Sequence, residues 1–213
     1  MFKWLNRKPT PTLPEISELT IGRTVKVDPL TLKMWPSDCL IAAPKNAMSI
    51  VAQGHCDLGE QSHLHRFYPD DDSVLLQIQG GDGREDTRID EIMLWSYYDV
   101  QYPSTQVQWD EFGKRIKQTS YRLPCEDGEL LYERAWFDSS SQPEDPMSYW
   151  ESVYSDRQMT DKKAIFQSAM LFARRLSDGE DEMLLVNMEE PEGGERCVTH
   201  MVGRALTKHS LII

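Results

Sequence analysis

The sequence predicts an α+β fold that is rich in β-structure, with antiparallel sheets, meanders and one clear helix at about residues 104–118. Two observations lead to this prediction. Short runs of β-branched and aromatic residues, such as 73–79 and 89–102, alternate with glycine and proline along most of the chain. Only one segment combines a helical apolar stripe with a cap and with basic residues near its end. Short strands are therefore expected to outnumber helices.

The predicted helix follows Pro103. Trp109, Phe112 and Ile116 recur at helical spacing and share one face. Ser104 precedes this stripe and can cap the free backbone amides of the first turn. Lysine and arginine near the end of the segment suit the negative end of the helix dipole.

The second half of the chain predicts further strands. Residues 129–137 form an apolar and aromatic run, and a serine- and proline-rich loop follows at 138–146. Residues 164–176 are ambiguous because their apolar residues also fit a helical stripe. We predict a helix or loop up to about Ser168, then a three-stranded meander to the C-terminus. Earlier in the chain, Gly80-Gly81-Asp82-Gly83 predicts a tight turn.

The N-terminus predicts an arm outside the main domain. Pro9, Pro11 and Pro14 favour extended backbone, so residues 1–15 are an extended arm and 16–213 a single globular β-rich domain. The arm also contains apolar residues among basic ones. They allow two interpretations, a packed terminus or a weak peripheral membrane contact through Phe2, Trp4 and Leu5.

Charge and cysteine content limit the classes of partner and the compartment. The formal net charge of −12 argues against a nucleic-acid partner, whose phosphates need a basic surface. The sequence contains no run of 18 apolar residues, so no transmembrane segment is predicted. The basic N-terminus is not followed by the apolar region of a signal peptide, so no export signal is predicted. Widely spaced cysteines without an export signal predict free thiols and a cytoplasmic location. They are Cys39, Cys56, Cys125 and Cys197.

Motif searches predict neither a cofactor nor a recognised enzyme class. The sequence has no phosphate-binding loop, no dinucleotide-binding glycine motif, no His-Glu-x-x-His and no Gly-x-Ser-x-Gly. The chain is therefore more readily explained as a binding protein than as an enzyme, although catalysis of an unrecognised type stays open.

One histidine cluster raises the question of a metal site. His63 and His65 share a strand face, and His55, Cys56 or Asp57 could complete a set of ligands suited to zinc. The spacing matches no closed zinc module, so we predict surface or loop histidines and no metal. Calcium is not predicted either, because the acidic segments 70–72 and 178–182 lack the spacing of a calcium loop.

The most distinctive local pattern is Tyr132-Glu133-Arg134-Ala135-Trp136. On a strand, Tyr132, Arg134 and Trp136 share a face, and an arginine between two rings gains cation–π energy. Two interpretations stay open. The three residues form either a packed cross-strand ladder or a binding site that clamps an anion or carboxylate, and they are our predicted binding residues.

Several motifs in order resemble the uncharacterised bacterial YjfK-type family, a domain of unknown function, over residues 60–206. The resemblance brings no catalytic residues. Genes of such proteins tend to lie near membrane-stress components and polyamine-peptide ligases, which implies an accessory role in envelope stress. Ala173 stands where a glycine is expected. The motifs are Asp71-Asp72 before 75–78, Tyr102-Pro103-Ser104, the 132–136 pattern, 170–174 and 202–204.

These observations favour a non-enzymatic binding or adaptor protein with a protein partner. The alternative is an enzyme acting on a cationic or polyamine-type substrate, with the histidine cluster or Arg134 and nearby carboxylates as its reacting groups. A structural subunit of a larger assembly is the third possibility.

Overall fold

The computed structural model describes residues 12–44, 46–81, 88–137 and 141–213. The helices are α1, Pro29–Lys33, and α2, Gln106–Arg115, with a short 3₁₀ helix at Lys208–Ser210. The strands are β1 Thr24–Val27, β2 Met48–Asp57, β3 His63–Pro69, β4 Val74–Gly80, β5 Ile89–Gln101, β6 Ser120–Cys125, β7 Gly128–Arg134, β8 Met147–Tyr154, β9 Lys162–Arg175, β10 Asp181–Pro191, β11 Cys197–Leu206 and β12 Leu211–Ile212.

Eight antiparallel strands close into a barrel in the order β2-β3-β4-β5-β11-β10-β9-β8. The barrel closes because β8 pairs with β9 on one side and with β2 on the other, with Cys56 opposite Glu151. Closure removes the free edges that an open sheet of this size would leave.

The barrel has two apolar cores, one inside and one outside. The inner core takes residues from all eight barrel strands, which places it in the lumen. The outer core is larger and packs the other barrel face against β1, the β6–β7 hairpin and the region of α2. Strands such as β4 are therefore buried on both faces. The inner residues are Cys56, Leu64, Leu75, Met93, Trp95, Tyr149, Ala169, Leu185 and Met201.

The β-rich prediction is confirmed, but the closed barrel was not part of it. The apolar and aromatic runs at 73–79 and 89–102 correspond to β4 and β5, and the run at 129–137 to β7. Barrel closure depends on pairing between strands that lie about a hundred residues apart, β2 with β8, and no local pattern encodes such a pairing.

The predicted helix exists as α2, although it is shorter than 104–118. Its N-cap is Thr105, whose hydroxyl accepts a hydrogen bond from the Gln108 amide at 3.3 Å, so the prediction of a Ser104 cap is wrong. The Ser104 hydroxyl instead donates a hydrogen bond to Gln108 Oε1 at 3.1 Å. The predicted stripe does pack on the outer core, where Ile116 is fully buried.

The prediction of a helix or loop up to Ser168 is wrong, because Lys162–Arg175 is one continuous strand, β9. Its outward residues, such as Met170 and Phe172, enter the outer core, and the inward Ala169 enters the lumen. A strand with apolar residues on both faces loses the alternation that marks a half-buried strand, so its sequence also fits a helical stripe.

Some predictions concern residues outside the described ranges. They include the proposed membrane contacts Phe2, Trp4 and Leu5, most of the 1–15 arm, and part of the 80–83 turn. Within the arm, Leu13 is buried and its amide donates to the Arg157 carbonyl at 2.9 Å. In the part of the chain that the structure describes, no helix has the length and apolar character to cross a membrane.

Candidate functional site

A fully buried arginine lies inside the barrel. Arg66 points inward from β3 and donates four hydrogen bonds, to Gln77 Oε1 at 3.1 Å, to Glu151 Oε2 and Gln167 Oε1 at 2.7 Å each, and to the Tyr149 hydroxyl at 3.0 Å. Burial alone would lower the pKa of Arg66, but Tyr149 and Glu151 outweigh it and raise the pKa well above its usual value. Arg66 is therefore a permanent cation with four of its five N–H groups in use.

Glu151 on β8 balances this charge. Its second oxygen, Oε1, accepts a hydrogen bond from the Tyr68 hydroxyl at 2.6 Å, and the Gln167 amide also donates to the carboxylate. Gly54 on the neighbouring strand β2 makes room for it, because a Cβ at that position would overlap Glu151 Oε1. The pair is thus fixed in place by its neighbours and carries no net charge.

The polar network continues away from Arg66 through β10 and β11. Asn187 donates to Gln167 Oε1 at 2.7 Å and to Glu189 Oε1 at 3.1 Å, and Thr199 donates to the same Glu189 oxygen at 2.9 Å. Burial raises the pKa of Glu189. Polar side chains therefore fill this half of the lumen and bond one another, as buried polar groups require, although Asn187 Oδ1 has no partner.

The opposite half of the lumen contains a cavity of about 100 Å³. Its floor is the Arg66, Gln77 and Tyr149 side chains, and Gln79 and Glu91 contribute the other polar atoms. The remaining walls are apolar or aromatic. They are Leu58, Leu64, Trp95, Trp136, Met147, Leu171 and Leu185.

Two groups on the cavity wall lack partners. Trp95 is 2% exposed, and its indole Nε1 has no hydrogen-bond acceptor. Among the described residues, no side chain pairs with the carboxylate of Glu91, which is exposed at the mouth of the cavity and whose pKa is raised by desolvation. A buried donor without a partner is rare in folded proteins, because its lost hydration is not replaced.

A glycine controls the position of Trp95. Gly203 on β11 lies directly under the Trp95 ring, and a Cβ there would overlap the ring atoms. We expect Gly203→Ala to lower the free energy of unfolding by roughly 1–3 kcal/mol, since the rigid indole must move. Gly113→Ala is the matched control, because its Cβ would meet only Met188 at 4.0 Å and alanine favours a helix. Urea unfolding measures both variants, and equal stability of the two would contradict this account of Trp95.

The structure separates the three residues that the sequence predicted as a binding site. Tyr132 is buried in the outer core, where its hydroxyl donates to Glu182 at 2.7 Å and the guanidinium over its ring is that of Arg174, at 5.5 Å. Arg134 donates to the Gln142 carbonyl at 3.0 Å. Trp136 follows the end of β7 and reaches the lumen cavity. Of the three, Trp136 lines the lumen cavity.

The histidines lie on the outer face of β2 and β3, away from Cys56 in the lumen. His55 Nε2 and His63 Nδ1 are 3.1 Å apart, and the His55 ring stacks on those of His63 and His65. Burial lowers the pKa of His55. Across the described ranges, no three His, Cys, Asp or Glu side chains are arranged to hold a metal ion.

Comparison with known proteins confirms the family resemblance predicted from the sequence. A family model described as "Protein of unknown function (DUF2491)" matches residues 1–211. The chain belongs to the DUF2491 family. It is also similar to the uncharacterized protein YjfK of Escherichia coli (strain K12), with 27% identity over 168 residues, which are 77% of this chain and 73% of the relative. No solved structure matches.

A second polar group in this DUF2491 chain lies beneath α2. His200 on β11 is 2% exposed, and its Nε2 lies 2.7 Å from the Tyr121 hydroxyl. Asp99 Oδ2 lies 3.7 Å from its Nδ1, and the Arg115 guanidinium stacks on the Tyr121 ring at 4.8 Å. Burial lowers the pKa of His200 to about 4. The imidazole is therefore neutral at physiological pH.

Sequence reasoning missed the residues that define the lumen site of this DUF2491 protein. A signal was present in Gln77, which interrupts the apolar run 74–78, and in Arg66, which lies in the short strand-like run 64–68. A charged residue in a strand buried on both faces requires a partner inside the protein. The partner, Glu151, lies 85 residues away in sequence, and nothing local identifies it.

Proposed function

We propose that this protein is a non-enzymatic binding protein whose barrel holds a small, largely apolar molecule in the lumen cavity. The observation that carries this proposal is an apolar-walled cavity with an unpartnered, buried Trp95 donor above a floor of fixed polar groups. Barrels of eight strands have a lumen of the size that holds side chains or one small ligand. Pockets for small molecules combine apolar walls with a few polar groups that orient the ligand.

The polar floor suits binding better than catalysis. Arg66 and Glu151 are fully buried. Arg66 donates hydrogen bonds to neighbouring side chains, and Glu151 accepts them. Groups held in this way shape and orient a ligand, whereas a reacting acid or base needs access to the atom it protonates. The enzyme alternative would need a reacting group at the mouth of the cavity, where Glu91 lies.

The cavity is small, so it limits the size of the ligand. An engineered apolar cavity of about 150 Å³ binds benzene, and the lumen cavity has about two-thirds of that volume. A chain of about four carbons with one polar head is therefore a suitable probe. The predicted accessory role in envelope stress is a separate proposal, which rests on the family resemblance.

The test is to fill the cavity. We expect 1-butanol to bind the wild-type protein saturably, as followed by tryptophan fluorescence and calorimetry. Leu171→Trp should abolish this binding, because the larger side chain occupies the lumen. Leu131→Trp is the matched control, since Leu131 is 43% exposed on β7 and lies outside the cavity lining. Absence of saturable binding, or equal binding by Leu171→Trp, would overturn the proposal.

A further inference from the structure

The charges around the lumen cavity do not balance. Arg66 is the single cation among the lining residues, and its charge is cancelled by Glu151 at 2.7 Å. Glu91 is the single acidic residue in the lining, and no described side chain pairs with it. The cavity therefore has one uncompensated negative charge, which lies at its mouth on β5.

The floor offers little to an anion. Four of the Arg66 N–H groups already donate to protein acceptors, so a carboxylate or phosphate could gain at most one hydrogen bond from it. An anion in the cavity would also lie near Glu91, and like charges repel. The formal net charge of −12 adds a long-range field that attracts cations and repels anions.

The walls suit a cation with an apolar body. The rings of Trp95 and Trp136 line the cavity and offer apolar surface to an alkyl chain. Leucine and methionine side chains form the rest of the wall and suit an alkyl chain. Glu91 is exposed at the mouth, where an incoming cation can reach it, and desolvation raises its pKa.

We infer that the ligand of the lumen cavity is a short alkylammonium cation, whose charged nitrogen pairs with Glu91 at the mouth and whose alkyl chain lies along the apolar wall. This inference rests on the proposed function, since it names the chemical class that the same cavity selects. In this inference Glu91, at the mouth of the cavity, is the residue that selects cations over neutral and anionic molecules.

The experiment compares four probes with the same four-carbon chain, n-butylammonium, butyramide, 1-butanol and butyrate, by calorimetry at low salt. We expect n-butylammonium to bind about tenfold more tightly than 1-butanol, because it gains one ion pair with Glu91. Butyrate should bind most weakly, because Glu91 repels its charge. Glu91→Gln should remove the advantage of n-butylammonium over 1-butanol. Glu91→Lys should reverse the preference, so that butyrate binds more tightly than n-butylammonium.

The matched control is Glu111→Gln, which removes the same charge from an exposed position on α2 outside the cavity lining. It should leave the affinities of all four probes unchanged. If 1-butanol binds as tightly as n-butylammonium, or if Glu91→Gln keeps the preference for the amine, the inference is overturned while the proposed function stands. If none of the four probes binds, the proposed function itself fails.

Discussion

Glu151→Gln is expected to lower the free energy of unfolding by about 3–5 kcal/mol, because it leaves the Arg66 guanidinium buried without an anion. Arg66 cannot lose its proton, and its 1% exposure excludes water as a substitute partner. For a chain of this length the change corresponds to a fall in Tm of roughly 10 °C. Arg66→Met should cost a similar amount, since it leaves Glu151 without its counter-ion.

The double variant distinguishes a coupled pair from two independent residues. Arg66→Met with Glu151→Gln should cost clearly less than the sum of the single changes, because neither charge is then left alone. The control is the Arg175–Asp181 pair, which joins neighbouring barrel strands at 2.9 Å but is largely exposed. Asp181→Asn should change stability by less than about 1 kcal/mol. If the losses in the free energy of unfolding of the two single variants add up to that of the double variant, Arg66 and Glu151 are not a coupled ion pair.

Acidification should destabilise the fold through His200. Its pKa is lowered from the ordinary value of 6.5 to about 4, chiefly by burial, while Asp99 opposes the shift and Arg115 adds to it. Between these two values the unfolded chain binds a proton that the folded protein does not. Stability is therefore complete above pH 6.5 and falls by about 1.4 kcal/mol per pH unit below it, reaching a loss of about 3 kcal/mol at pH 4.

His200→Gln isolates this contribution, because glutamine does not titrate and keeps a polar group near Tyr121. Between pH 6.5 and pH 4 the loss in the free energy of unfolding should be about 3 kcal/mol smaller for the variant than for the wild type. Urea unfolding across that range measures both losses. His209→Gln changes an exposed histidine and should leave the wild-type slope intact. Parallel pH profiles for His200→Gln and the wild type would show that His200 is not the acid-sensitive group.

Local sequence patterns predicted those elements that have one exposed face or a clear end. The stripe of Trp109, Phe112 and Ile116 predicted α2 because a single face of that helix packs on the barrel. The alternation of apolar runs and turns predicted β4 and β5. By contrast, β9 contacts the lumen on one face and the outer core on the other, so its sequence carried no strand periodicity.

The candidate site was less predictable than the strands, because it depends on barrel closure. Glu151 meets Arg66 only when β8 pairs with β2, and Gly54 must face Glu151 for the carboxylate to fit. Trp136 was predicted to share a strand face with Tyr132, in a packed ladder or a binding clamp. In the structure Tyr132 is buried in the outer core, whereas Trp136 packs against both cores and lines the lumen cavity. The chain leaves the strand after Arg134, and the alternation on which that prediction relied ends there.

The most direct test of the lumen site is to follow the indole N–H signals of the tryptophans by two-dimensional NMR while n-butylammonium is added. We expect saturable shifts of the Trp95 and Trp136 signals, since both side chains line the cavity. The signals of Trp35, Trp109 and Trp150, which lie outside it, should stay in place. Unchanged Trp95 and Trp136 signals at saturating amine, or shifts confined to Trp150 on the outer surface, would contradict a ligand site in the lumen.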